Sequence, residues 1–150
     1  MNPLDNLMLL EPQIMERLLE RLGGLVPKVH VLAAADLAGV TEATQVTPAV
    51  HVVYQNYRVV ESRSDGTAAR MEQTWLTIIA TKNVKDTRSG AAARADAGQI
   101  AARVAKALMG FKPQAASKPL RLSQGPGAAF SNGFAYVPLA FVAELALVAN

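Results

Sequence analysis

The 150-residue sequence contains no cysteine. Disulfides, thiolate metal sites, thiol nucleophiles and cysteine-held iron–sulfur clusters are therefore excluded together. Aromatic residues make up only 5% and charged residues 18% of the chain. The first figure argues against a stacking platform for single-stranded nucleic acid, and the second against a charge-swollen disordered polymer. Long apolar runs are missing too. The longest, Phe134 to Ala149, is sixteen residues and is interrupted by Pro138 and Glu144, short of the ~20 residues that a membrane-spanning helix needs. The N-terminus has no basic region followed by an apolar stretch and a small-residue cleavage site, so the expectation is synthesis and folding in a cytoplasm, with no membrane partner. What remains is 51% hydrophobic. Alanine and valine supply most of it, and a chain of this length makes one domain that buries roughly 68–70% of its unfolded surface.

The formal net charge of +3 conceals an uneven distribution. Residues 1–81 hold six Lys/Arg against nine Asp/Glu, residues 82–122 hold nine against two, and beyond them Glu144 is the only charged residue. The basic excess therefore belongs to 82–122, and an anionic partner should be sought there.

Hydrophobic periodicity predicts a helix that opens at Glu11-Pro12, where proline lacks only an N–H the first turn leaves unbonded. It buries Ile14, Leu18 and Leu22 and stops at Gly23-Gly24. A short strand, Lys28 to Leu32, leads into an alanine-rich connection with one helical turn near Asp36 to Gly39. The strongest signal is a long antiparallel hairpin: Ala49 to Arg63, a turn at Asp65-Gly66, and a return from Ala68 to Lys82. Both arms become polar near the turn, so the distal half is expected to project beyond the core. Nearer the base the second arm is apolar on both faces, with Leu76, Ile78 and Ala80 on one and Trp75 and Ile79 on the other; such a strand needs cover on both faces. A second helix is predicted from about Ala91 to Met109, a short strand around Leu120 to Leu122, a Gly/Pro/Ser loop from Gln124 to Gly133, and a last strand from Phe134 to Val148. The expected fold class is α+β: a mostly antiparallel four- to five-stranded sheet with a long β-hairpin and two helices packed on one face. The other face is left to solvent or a partner, and Trp75, Ile79 and the apolar last strand favour a partner.

No catalytic set emerges. His30 and His51 each sit beside valines in a predicted strand, with no carboxylate at a ligand spacing, and read as strand residues rather than bases or metal ligands. Gly125-Pro126-Gly127 precedes a strand and lacks the helix N-terminus of a phosphate cradle. No serine lies in a nucleophile elbow. No cofactor and no enzymatic activity are expected. The basic residues carry the remaining signal: Lys82, Lys85, Arg88 and Arg94 around the loop into the second helix, Arg103 and Lys106 on that helix, and Lys112, Lys118 and Arg121 after it. That helix offers mostly alanine, unlike a DNA recognition helix. Two uses stay open, contact with an acidic protein ring or nonspecific contact with phosphates.

Four stretches carry a family resemblance. They are Thr47-Pro-Ala-Val-His-Val-Val-Tyr, Gln73-Thr-Trp-Leu-Thr-Ile-Ile-Ala-Thr-Lys-Asn, Val104-Ala-Lys-Ala-Leu-Met-Gly-Phe and Phe134-Ala-Tyr-Val-Pro-Leu-Ala-Phe. Together they resemble the tail terminator, or tail completion, proteins of long-tailed bacteriophages and prophages. The resemblance implies a virion protein whose copies form a hexameric ring on the finished tail tube, end polymerisation and present the surface that joins the head connector. The implied partners are other copies of itself, the tube protein and the connector, with the free chain a monomer until the tube end serves as template. A chain of this length has a radius of gyration of ~15 Å and is ~38 Å across, so six in a ring leave a hole of about that width. Duplex DNA would pass through without being bound. The candidate contacts are Arg63 and Asp65 at the hairpin turn, Trp75 and Ile79 on its second arm, and Lys82, Lys85, Arg88 and Arg94, which are expected to face subunits or tube rather than the lumen. The alternative is a stand-alone nonspecific nucleic-acid-binding module built on 82–122.

Overall fold

The computed structural model describes residues 6–43, 46–83 and 91–150. The elements are α1 (Leu10–Leu22), β1 (His30–Ala33), α2 (Leu37–Ala43), β2 (Ala49–Ser62), β3 (Ala68–Lys82), α3 (Ala91–Leu108), β4 (Arg121–Ser123), β5 (Ala129–Ser131) and β6 (Phe134–Val148).

The predicted hairpin forms β2 and β3, with Gly66 at φ 76 in the turn, a backbone conformation that an L side chain would strain. β6 pairs antiparallel with β3 along its whole length, from Ala68 opposite Val148 to Lys82 opposite Phe134. The distal half of β3 is therefore an inner strand, and only β2 forms a projecting arm. β4 and β5 line the other side of β6. The strand order is β1-β2-β3-β6-β4, with β5 also on β6.

The fold is α+β as expected, and two of its features differ from the expectation. Among the described residues the sheet has six strands, and it is mixed because β1 runs parallel to β2, His30 opposite Ala49 through Ala33 opposite Val52. A parallel neighbour requires a crossover, and α2 supplies it. The expected single turn is thus a third helix, begun where Asp36 Oδ1 accepts the Gly39 N–H at 2.8 Å. The second feature concerns the cover of the sheet. α1 and α3 lie on one face over Val50, Val52, Trp75, Ile79 and Phe141, whereas Val40 of α2 packs on the opposite face with Val53, Leu76 and Ile78. The base of the sheet is thereby buried on both sides. β5 lay inside a predicted loop; Asn132 and Gly133, both at positive φ, turn it back onto β6.

The helix-side core is joined by polar contacts as well as apolar ones. Trp75 Nε1 donates to Gln73 Oε1 at 3.0 Å, and Gln73 Nε2 donates to the Leu7 carbonyl at 2.7 Å. Arg17 Nε donates to the Ala107 carbonyl in the last turn of α3, and its guanidinium lies 4.8 Å from the centre of the Phe111 ring. A cation placed there complements the negative end of the helix dipole.

His51 is the exception to this pairing. It is 1% exposed, and neither ring nitrogen has a hydrogen-bond partner. Burial pushes its imidazole below the ordinary histidine value. The unfolded chain therefore binds a proton more readily than the folded one as pH falls through about 6.5, and stability declines from there down to the depressed folded value. The urea midpoint is expected to fall between pH 7 and pH 5.5, and the His51→Leu variant to flatten that decline; an equal decline in the variant would assign the effect to another group.

Candidate interaction surface

Along β2, burial changes abruptly. Ala49 to Val53 are buried, and every residue from Gln55 to Ser62 is exposed. The cause is position. β1 ends opposite Val52, α1 lies against β1 and the base of β2, and α3 covers β3 and β6, so neither helix covers the outer arm. Tyr57, Val59 and Val60 are left 60%, 54% and 41% exposed. Tyr57 lies opposite Gln73, whose hydrogen bond to Leu7 brings the chain before α1 alongside; Leu7 and Met8 are each 40% exposed. Tyr57 and Val59 thus form an exposed apolar pair on the helix-side face of the arm. Isolated exposed apolar residues are ordinary, but neighbouring ones on one face favour a contact surface.

The same arm is charged on its other face. Glu72 and Glu144 stand directly opposite each other on β3 and β6, an arrangement that repels unless cations intervene. Arg58 and Arg121 reach Glu72 at 3.1 and 3.3 Å, and Arg70 and Lys118 reach Glu144 at 3.7 and 3.5 Å. Arg70 also pairs with Glu61. Burial alone would raise the Glu72 carboxyl; hydrogen bonds and charge from Arg58, then Arg121, outweigh it and hold it below the ordinary carboxylate range. The lattice ties four strands together in the part of the sheet farthest from α2.

The hairpin turn is built on Asp65. Its Oδ1 accepts the Thr67 hydroxyl at 2.7 Å and the Thr67 N–H at 3.0 Å, which holds the carboxyl below its usual range. Arg63 Nε lies 3.6 Å from Asp65 Oδ2. Both side chains are exposed at the tip and available to a partner.

The other candidate residues are elsewhere. Trp75 and Ile79 are each 0% exposed beneath α1 and α3, so they are core residues of the subunit and not partner contacts. Both faces of β3 are apolar near the base, and the helices took the face that carries Trp75. Lys82 ends β3, its ammonium 4.8 Å from the centre of the Phe134 ring. At ~3.3 Å per residue that places it roughly 45 Å from the hairpin turn. Lys82 also lines a cleft of about 510 Å³ at the base of the sheet, with Pro27, Pro48, Asp96, Ile100 and Arg103. Arg94 is exposed on the first turn of α3. Lys85 and Arg88 lie outside the described residues.

The basic segment does not form one surface among the described residues. Arg94, Arg103 and Lys106 are exposed on α3, on the helix side of the sheet, whereas Lys118 and Arg121 pair with carboxylates on the opposite face. Among the described residues no group of three His, Asp or Glu is placed to hold a metal ion, and no helix is long and apolar enough to cross a membrane.

Sequence reasoning missed the ion-pair lattice. Its one signal was Glu144, a lone charge in the otherwise apolar last strand. The fold is thus a long sheet buried at its base, with a strand-built arm that offers apolar side chains, charges and a polar turn. No curated protein matches the chain in sequence. The model of one family, phage tail terminator protein, matches residues 5–148, and over nearly the whole length of the domain just described the chain therefore belongs to the phage tail terminator family, a structural protein of a phage tail.

Proposed function

We propose that copies of this chain close into a hexameric ring on the last ring of the tail tube, stop tube growth and present the surface to which the head connector attaches. The ring does no catalysis, and duplex DNA passes through it without being held. Family membership supports the tail location. The observation that carries the interaction reading is the β2 arm, exposed from Gln55 to Ser62 on a strand that is buried from Ala49 to Val53. A domain of this size can cover its own apolar strands, so a strand left bare over half its length serves contacts outside the subunit.

The nucleic-acid-binding alternative needs a continuous basic surface. The division of the described basic residues between the two faces of the sheet supports the ring instead. The test is polymerisation of the tube protein with and without this chain. Growth is expected to stop when the added protein suffices for one ring per tube end, and a DNA gel shift at physiological salt is expected to show no complex. Unchanged tube lengths together with a salt-dependent shift would favour the nucleic-acid module.

A further inference from the structure

We propose that the free chain pairs with a second copy of itself through the outer edge of β2, in an antiparallel register that sets Arg58 of each copy opposite Glu61 of the other. The inference starts from backbone groups. Val52 turns its carbonyl away from β3, where it accepts the Ala34 N–H at 3.1 Å. On a strand, residues whose side chains share a face also share the direction of their backbone groups. Tyr57, Val59 and Ser62 stand opposite Gln73, Met71 and Ala69 of β3 and share the helix-side face with Val52. Their N–H and C=O groups therefore point outward, past the end of β1, where no described strand lies beside them. An exposed edge of this kind is a ready template for pairing with another extended backbone.

The sequence of the edge is complementary to itself. A twofold axis perpendicular to the sheet, passing between Val59 and Val60, sets Tyr57 opposite Ser62, Arg58 opposite Glu61 and Val59 opposite Val60 of the second copy. Tyr57 and Ser62 both point their backbone groups outward, so they would exchange both hydrogen bonds. Arg58 and Glu61 would form the closer, non-hydrogen-bonded pair. Their side chains share one face in both copies, since they oppose Glu72 and Arg70, and they are 72% and 63% exposed. Opposite charges directly across a strand pair stabilise it, and the register supplies two such pairs, each Arg58 and Glu61 being shared with its own chain's Glu72 or Arg70. β2 has a register shift between Val59 and Glu61. The axis runs through that shift, so the irregularity coincides in the two copies. A slip of one residue would face each Arg58 with Val60 or Ser62 instead and abolish both charge pairs.

A single shared edge buries less than about 1,200 Å², the range of weak association. A reversible dimer is thus expected in place of the monomer implied by the family resemblance, and it does not depend on the tail role. The absence of cysteine makes the register directly measurable. Under mild oxidation, an equimolar mixture of Arg58→Cys and Glu61→Cys chains is expected to give a covalent dimer, and each variant alone to give at least about tenfold less, because like positions lie apart in this register. Sedimentation of the unaltered chain is expected to show concentration-dependent dimerisation. A chain that stays monomeric at several hundred micromolar would overturn the proposal, as would equal cross-linking in the single-variant controls. Protection of the β2 amides only after tail tubes are added would give the edge to a tube-protein strand and would also overturn it.

Discussion

Replacing Trp75 with alanine is expected to lower the unfolding free energy by about 3–5 kcal/mol, the usual cost of removing a fully buried large aromatic side chain. Trp75 is 0% exposed, meets Tyr54 edge-on at a ring separation of 5.1 Å, and donates to Gln73. Its loss opens a cavity beneath α1 and α3 and leaves Gln73 Oε1, which accepted the indole N–H, without that donor in the interior. Since an ordinary domain is stable by only about 5–15 kcal/mol, the variant should approach the unfolding threshold. Urea denaturation followed by circular dichroism measures this. The result separates two roles for the residue: a contact tryptophan on a partner-facing surface would cost little in the isolated chain and much in assembly.

The opposite profile is expected for the β2 arm. Tyr57→Asp combined with Val59→Asp should leave stability within about 1 kcal/mol, because exposed substitutions away from caps and buried pairs change little. Arrest of tube growth should nevertheless fall by about a hundredfold or more, since unpaired carboxylates pressed into an apolar contact cost about 3 kcal/mol. Parallel measurement of the urea midpoint and of tube lengths tests both halves. Full arrest activity in the double variant would remove the arm from the tube and ring contacts.

The contrast between these residues shows which parts of the structure local patterns can reveal. The hairpin was legible because valine density, alternation and Asp65-Gly66 are local signals, and α1 and α3 followed from their apolar stripes. The parallel pairing of β1 was not legible. It depends on α2 folding over Val53 and Leu76, a long-range contact that seven residues of helix do not announce. Trp75 and Leu76 looked equally suited to a buried face, and both are buried, Trp75 on the face of α1 and α3 and Leu76 on the face of α2. The basic run misled for a related reason: sequence neighbours such as Lys106 and Lys118 end on opposite sides of a sheet once β4 turns along β6. Glu72 and Glu144 lie far apart in sequence, and a cross-strand register brings them together. Of the candidate contacts, the hairpin-turn pair Arg63 and Asp65 was placed correctly at the exposed tip by sequence alone, because a turn is defined by its own residues.

Electron microscopy of tail tubes mixed with the purified protein tests the central claim most directly. A single sixfold ring at one end of each tube, with bare tube walls, is the predicted result. Decoration along the walls, or tubes with two unaltered ends, would contradict it.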